Sequence, residues 1–183
     1  MVTKAEINSG PSIYDLDTHP RLDFTRIVGN AKPTEVTRGI ISGFSLPVYN
    51  SDDEELYMEN DIPDTYCEVR DLTVHIHCYI DTANNAKKFK LQIEWEHFTV
   101  GMDIIPATAN TLTAETTTGN DSQYQSYEVE MTIDYDIDGG DIIHIMDELH
   151  IRLRRIAASQ DEIAGEVVIT KIGIVIPSDR LGV

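Results

Sequence analysis

Cysteine is scarce in this sequence, and the two that occur, Cys67 and Cys78, exclude a disulfide scaffold. Their spacing matches no zinc module, so both are expected to be reduced, half-buried thiols. Cations are equally few. Fourteen Lys and Arg face 32 Asp and Glu, a formal net charge of −18, and only six of the cations are lysines. A surface of that sign repels phosphate backbones, which argues against nucleic acid as a partner. It suits a salty medium, or a protein that must not adhere to its neighbours. No apolar run approaches the ~20 residues of a membrane-spanning helix, so no membrane partner is expected. The opening "MVTKAEINSGPSIYDLD" has no basic stretch followed by an apolar one, and is therefore not read as a signal peptide. The expectation is a soluble chain assembled in a cytoplasm.

Sequence signatures of catalysis are missing too. The chain has no Gly-x-Ser-x-Gly, no glycine-rich phosphate loop and no cysteine placed as a nucleophile. Carboxylates are so abundant that no glycosidase pair stands out. No catalytic residue and no cofactor is assigned.

What is present is period-two hydrophobicity. Residues 1–40 carry no sustained period and are interrupted by Pro11, Pro20 and Pro33, with Gly10, Gly29 and Gly39 adding freedom. They are read as an extended N-terminal arm with Leu22, Phe24, Ile27 and Val28 to bury. Residues 41–183 form the β-sandwich domain. Strands are expected at 39–49, 56–63, 71–80, 87–100, 126–137 and 166–176. In "DLTVHIHCYI" Leu72, Val74, Ile76, Cys78 and Ile80 face one way, and Thr73, His75, His77 and Tyr79 the other. Phe89, Leu91, Ile93 and Trp95 line one face of the next strand, which makes the single tryptophan a core residue. Tyr127, Val129, Met131, Ile133 and Tyr135 are assigned inward. The Thr-, Ala- and Asn-rich residues 101–122 are read as a long exposed loop.

One segment fits two periods. Ile142, Ile145, Met146, Leu149, Leu153 and Ile156 make a helical stripe. Leu149, Ile151 and Leu153 against His150, Arg152 and Arg154 make a strand. With strands on every side, a strand over 148–156 after a turn or helical corner at 141–146 is favoured. The fold class that results is all-β, an antiparallel β-sandwich.

Three groups could hold a ligand. Asp134, Asp136 and Asp138, followed by Gly139, satisfy the first half of a calcium loop, but the bidentate position falls on Ile145. They read as the outward face of a strand, with at most a weakly bound divalent cation. His75 and His77 share one strand face as a two-histidine grip, and His97, His144 and His150 could join from elsewhere. Tyr124 and Tyr127 flank the Thr-rich segment and could stack on a sugar.

The order of these pieces resembles a group of jelly-roll-like β-sandwich virion proteins of tailed phages and related viruses. It is carried by "ENDIPD", "RDLTVHIHCYI", "IEWEHF", the variable "ATANTLTAETTTGNDSQ", "DELHIRLRRIAASQDE" and "GEVVITKIGIVI", over about residues 55–176. The extra "DGGDIIHIM" departs from that pattern. The resemblance implies a head decoration (auxiliary capsid) protein on the outside of a viral shell, or a fibre or tail component. It implies the major capsid protein or neighbouring virion subunits as partners, a homotrimer, and no catalytic residues. The alternatives are a fibre or tail receptor- or glycan-binding module and a cellular carbohydrate-binding or carbohydrate-active domain.

Overall fold

The computed structural model describes residues 14–18, 33–48, 54–121, 123–137 and 141–178. Fourteen strands and no helix occur among them. Eight are long: β3 (Ile41–Leu46), β4 (Glu55–Asp61), β5 (Leu72–Ile80), β7 (Lys88–Thr99), β8 (Asn110–Thr117), β10 (Ser126–Ile133), β13 (Asp147–Ile156) and β14 (Val167–Ser178). The others are β1 (Tyr14–Thr18), β2 (Thr34–Arg38), β6 (Asn84–Asn85), β9 (Asn120–Asp121), β11 (Asp136–Ile137) and β12 (Asp141–Ile142).

The long strands pair antiparallel into two sheets, β3–β14–β5–β10 and β4–β13–β7–β8. Successive strands alternate between the sheets except at β7–β8, a wound connectivity that defines the jelly roll. The first sheet is extended by a hairpin, β2 on β3, whose two-residue turn places Gly39 at φ 63°. Because β5 occupies one edge of β14 from Val167 to Val175, β3 and β1 share its other edge.

Alternation explains the layers. In β5 and β13 the burial strictly alternates, so each strand contributes one apolar face to the space between the sheets and one polar face to solvent. Leu72, Val74, Ile76 and Ile80 of β5 share one core with Phe89, Leu91, Ile93 and Trp95 of β7 and Leu149, Ile151 and Leu153 of β13. Each such side chain stabilises the fold by about 1.5–3 kcal/mol through its burial. Cys78 lies in this core as a free thiol whose pKa burial pushes up to about 12, and Cys67 is free and half-buried.

Several expectations need revision. The loop assigned to 101–122 contains β8, an edge strand with Leu112 and Ala114 turned to the core. Its alternation is diluted by threonine, which favours strands yet reads as polar. Within the predicted arm, β2 is a strand of the sheet and β1 pairs with β14; the rest of 1–32 lies outside the described residues. β10 ends at Ile133, so Tyr135 is not its next inward residue. For 141–146, expected as a turn or a helical corner, the structure has the turn, preceded by the short strand β12.

That turn has a physical cause. Asp147 starts β13 pointing inward, 1% exposed. Its carboxylate accepts the Thr99 hydroxyl at 2.6 Å and the His144 backbone N–H at 2.8 Å, and it lies 2.9 Å from His97 Nδ1. Met146, at φ 67°, donates its backbone N–H to the Ile62 carbonyl at 2.8 Å. These bonds hold the chain in a tight corner where helical spacing of the apolar residues would otherwise have been satisfied.

At the other end of β13 the inward position is Arg155, 3% exposed. Its guanidinium donates to Glu162 Oε1 at 2.5 and 3.1 Å, and to the carbonyls of Gly165 at 2.7 Å and Ile163 at 2.8 Å. Burial lowers its pKa, and Glu162 opposes that shift. The side chain thus fastens the β13–β14 connection to the end of the sandwich.

Candidate functional site

The outer face of the β4–β13–β7–β8 sheet carries a groove of about 490 Å³. Strand register builds its floor. Arg152 on β13 stands between Tyr57 on β4 and Glu94 on β7, and one step along, His150 stands between Glu59 and Glu96. Two adjacent rows of three polar side chains therefore cross the sheet. Pro106, Ala107 and Ala109, in the connection from β7 to β8, form one wall. That connection starts in a turn with Gly101 at φ 79°, where Asp103 accepts the Thr99 N–H at 2.7 Å. This hydrogen bond lowers the Asp103 pKa.

The floor is fixed by its own pairs. Glu94 accepts from Arg152 through one oxygen and from Arg154 through the other, the latter at 2.8 Å. Glu55 lies 3.7 Å from Arg152 and accepts the Tyr57 hydroxyl at 2.5 Å. Burial and that hydrogen bond push the Tyr57 pKa up to about 12, so the phenol stays neutral. The His150 ring stacks on Phe98 at 5.2 Å, with Glu148 3.3 Å away. Each guanidinium is thus held against acids, while Glu59 and Glu96 leave the groove with an acidic balance. Each Glu94 oxygen is engaged by a guanidinium. The arrangement offers fixed donors and acceptors along a strip (a geometry for binding).

The other sheet bears a more compact cluster on its outer face. His75 and His77 project from β5, with ring centroids 5.4 Å apart. Glu128 of β10, the cross-strand partner of His77, places Oε1 3.5 Å from His75 Nδ1 and 3.3 Å from His77 Nε2. Of the other histidines considered with them, His97 is turned inward onto Asp147, His144 pairs with Glu68 and His150 lies in the groove.

The acidic trio is only partly described. Asp134 follows β10 and accepts the Asp136 N–H at 3.0 Å, a local turn, while Asp136 pairs with Ile142 in the β11–β12 ribbon. The expectation that the trio lies along one strand face is corrected for these two, because β10 has already ended. Asp138 lies outside the described residues. Of the two tyrosines, Tyr127 packs edge-on against Phe89 at 5.7 Å, and Tyr124 carries the Arg38 guanidinium 3.1 Å from its ring centre. Neither lines the groove.

Tyr57, Glu59, Glu94, Glu96 and Arg152 were not singled out as a site by the sequence. Their alternation marks them as outward, but only cross-strand register sets them side by side. The same holds for Glu128 beside the two histidines.

No protein-family model matches the sequence, and no curated protein matches it. Among solved structures, one similar backbone is dimeric latent PorU from Porphyromonas gingivalis, at 9% identity and a TM-score of 0.47. The match covers 94% of this chain but 14% of that one. The xylan-binding module CBM15 is 14% identical over 91% of this chain and 97% of its own, with a TM-score of 0.46. The module CBM28, described as specific for non-crystalline cellulose, is 15% identical over 82% and 85% of the two chains, with a TM-score of 0.45.

Proposed function

We propose that the chain is a non-catalytic binding module whose groove takes a neutral saccharide. The observation that carries this reading is the pair of cross-strand rows, Tyr57–Arg152–Glu94 and Glu59–His150–Glu96, beside the wall at Pro106–Ala109. Sugar hydroxyls both donate and accept, so a strip that alternates carboxylates with a guanidinium and an imidazole can satisfy several at once. Cross-strand pairing holds these groups in place before the ligand arrives, which reduces the entropy lost on binding. The acidic balance disfavours polyanions and leaves neutral polyols. Affinity electrophoresis of the full chain through neutral polysaccharides tests the reading. Retardation by at least one of them, lost in Tyr57→Ala and in Glu96→Gln and without release of shorter sugars, is the expected result. Unretarded migration in all of them overturns it, and release of products removes the non-catalytic part.

A second reading, a decoration protein that docks on a viral shell through trimers of this chain, is favoured by a different feature. Met102 and Ile104, 83% and 93% exposed, and their neighbours Val100 and Ile105 give one connection an unusually apolar tip. Stoichiometric, regularly spaced copies in purified particles would support it; presence in lysate alone would remove it.

A further inference from the structure

We infer that His75, His77 and Glu128 form a binding site for a borderline divalent cation of the zinc class, with three protein ligands and a fourth position open to solvent. One imidazole nitrogen from each histidine and one carboxylate oxygen all lie within 4.8 Å of one another. Ligand atoms held ~2.0–2.1 Å from a tetrahedral zinc ion stand about 3.3 Å apart. The two distances to Glu128 Oε1, 3.5 Å from His75 Nδ1 and 3.3 Å from His77 Nε2, are close to that edge.

The same distances are poor for a plain ion pair, since a charge-assisted N–H···O bond is shorter, about 2.7–2.9 Å. His77 Nε2 is also shut off from solvent and makes no hydrogen bond, although the His77 side chain as a whole is 41% exposed. A buried ring nitrogen without a bond is unfavourable. Coordination would satisfy it, and it would use the one carboxylate oxygen on which both rings converge. Imidazole nitrogen with a single carboxylate oxygen is a donor set that suits zinc better than calcium, which prefers six or more oxygens.

The surroundings permit the ion. Glu130 is the cross-strand partner of His75 on β10, and Lys171 the partner of His77 on β14, so one acid and one base flank the cluster. Gly173, opposite His75 on β14, adds no side chain to that flank. Glu128 is 54% exposed, which leaves an open side for a water molecule or for a donor atom of a bound molecule.

The site is tested by calorimetric titration of the chelator-stripped full chain with zinc chloride at neutral pH, with cobalt(II) as a spectroscopic substitute. One ion per chain is expected, with the strong visible absorption of four-coordinate cobalt. Binding is expected to be lost in the His75→Ala/His77→Ala double variant, weakened in Glu128→Gln, and reduced as acid protonates the imidazoles. All three substitutions lie on the outer sheet face; should the double variant fail to fold by circular dichroism, Glu128→Gln alone decides. Unchanged affinity in a folded variant would place the ion elsewhere, for instance at His150 between Glu59 and Glu148, and overturn the assignment. Absence of binding by the parent chain would overturn it as well.

Discussion

The two sheets of the sandwich present the same kind of surface, an outward row of alternate side chains, and use it differently. On β4–β13–β7 the polar groups lie in rows, each guanidinium held between acids, so that hydrogen-bonding capacity extends along a strip. On β5–β10 two imidazoles from one strand and a carboxylate from the next converge on a single oxygen. A strip matches a chain of hydroxyls, and a point matches an ion. The difference arises from residue size and register rather than from fold. Long Arg and Glu side chains reach across neighbouring strands and pair laterally, whereas rigid imidazoles two residues apart on one strand can meet over a single carboxylate from the next.

If that contrast is sound, a change in the shared frame should affect both faces and a change on one face should leave the other intact. Arg155→Met is the strongest test of the frame. It leaves Glu162 and the carbonyls of Ile163 and Gly165 without their donor inside the sandwich end. Glu162 is partly exposed and keeps the Ala158 N–H, but each buried carbonyl left without its donor costs about 1–3 kcal/mol, and urea unfolding should register the loss of both. Both saccharide retardation and zinc affinity should then fall together as the midpoint is approached. A loss confined to one face would mean that the sheets are less coupled than their common core implies.

The next effect belongs to the histidine-bearing sheet. A Cβ at Gly43 would lie 2.6 Å from the Ile169 carbonyl oxygen, a contact that backbone cannot yield cheaply. Gly43→Ala should therefore destabilise by about 1–3 kcal/mol, the usual range for overpacking. Since the strain falls on β3 against β14, hydrogen exchange should quicken there before it does in β7 or β13.

These residues also show what the sequence could reveal. β5, β7 and β13 were legible because apolar side chains alternate with polar ones for many residues without a break. β8 was not, since of its inward positions Asn110, Leu112, Ala114 and Thr116 only Leu112 and Ala114 are apolar, and polar residues hide the period. β2, with one half-buried residue among exposed ones, lacks a period to find. Arg155 breaks the rule that makes β13 readable, for an inward position holds a charge whose partners come from the following loop. The two histidines could be seen as a pair, but Glu128 lies about fifty residues away, and only the β5–β10 register brings it to them. The groove has the same limit, because no local pattern aligns Tyr57 with Arg152 and Glu94.

A smaller effect isolates the strip. Glu94→Ala removes the acid that both Arg152 and Arg154 hold. Partly exposed pairs of this kind contribute about 1–2 kcal/mol, so stability should fall modestly in urea. Saccharide retardation should fall much further, because Glu94 itself is lost from the groove lining and Arg152 loses its closest anchor there. Zinc titration should not change. A weaker zinc affinity in this variant would break the distinction between the two faces.

The smallest effect separates the faces by pH. Glu115, on the outer side of β8, accepts from Lys88 Nζ at 2.8 Å, from the Ser159 N–H at 2.5 Å and from the Ser159 hydroxyl at 2.8 Å. The Lys88 hydrogen bond, followed by those from Ser159, holds its pKa down at about 2, against an ordinary 4.5. A folded-state value below the unfolded one means that the carboxylate adds stability above the ordinary pKa and loses it as pH falls towards about 2. Glu115→Gln should therefore flatten the dependence of unfolding midpoint on pH between these two values and lower the midpoint slightly at neutrality, where the contribution is fully present. The histidine face lies on the other sheet and, among the described residues, shares no hydrogen bond or ion pair with Glu115, so Glu115→Gln should leave the zinc titration unchanged at neutral pH. A zinc affinity that changed in Glu115→Gln would contradict the assignment of the two effects to separate faces.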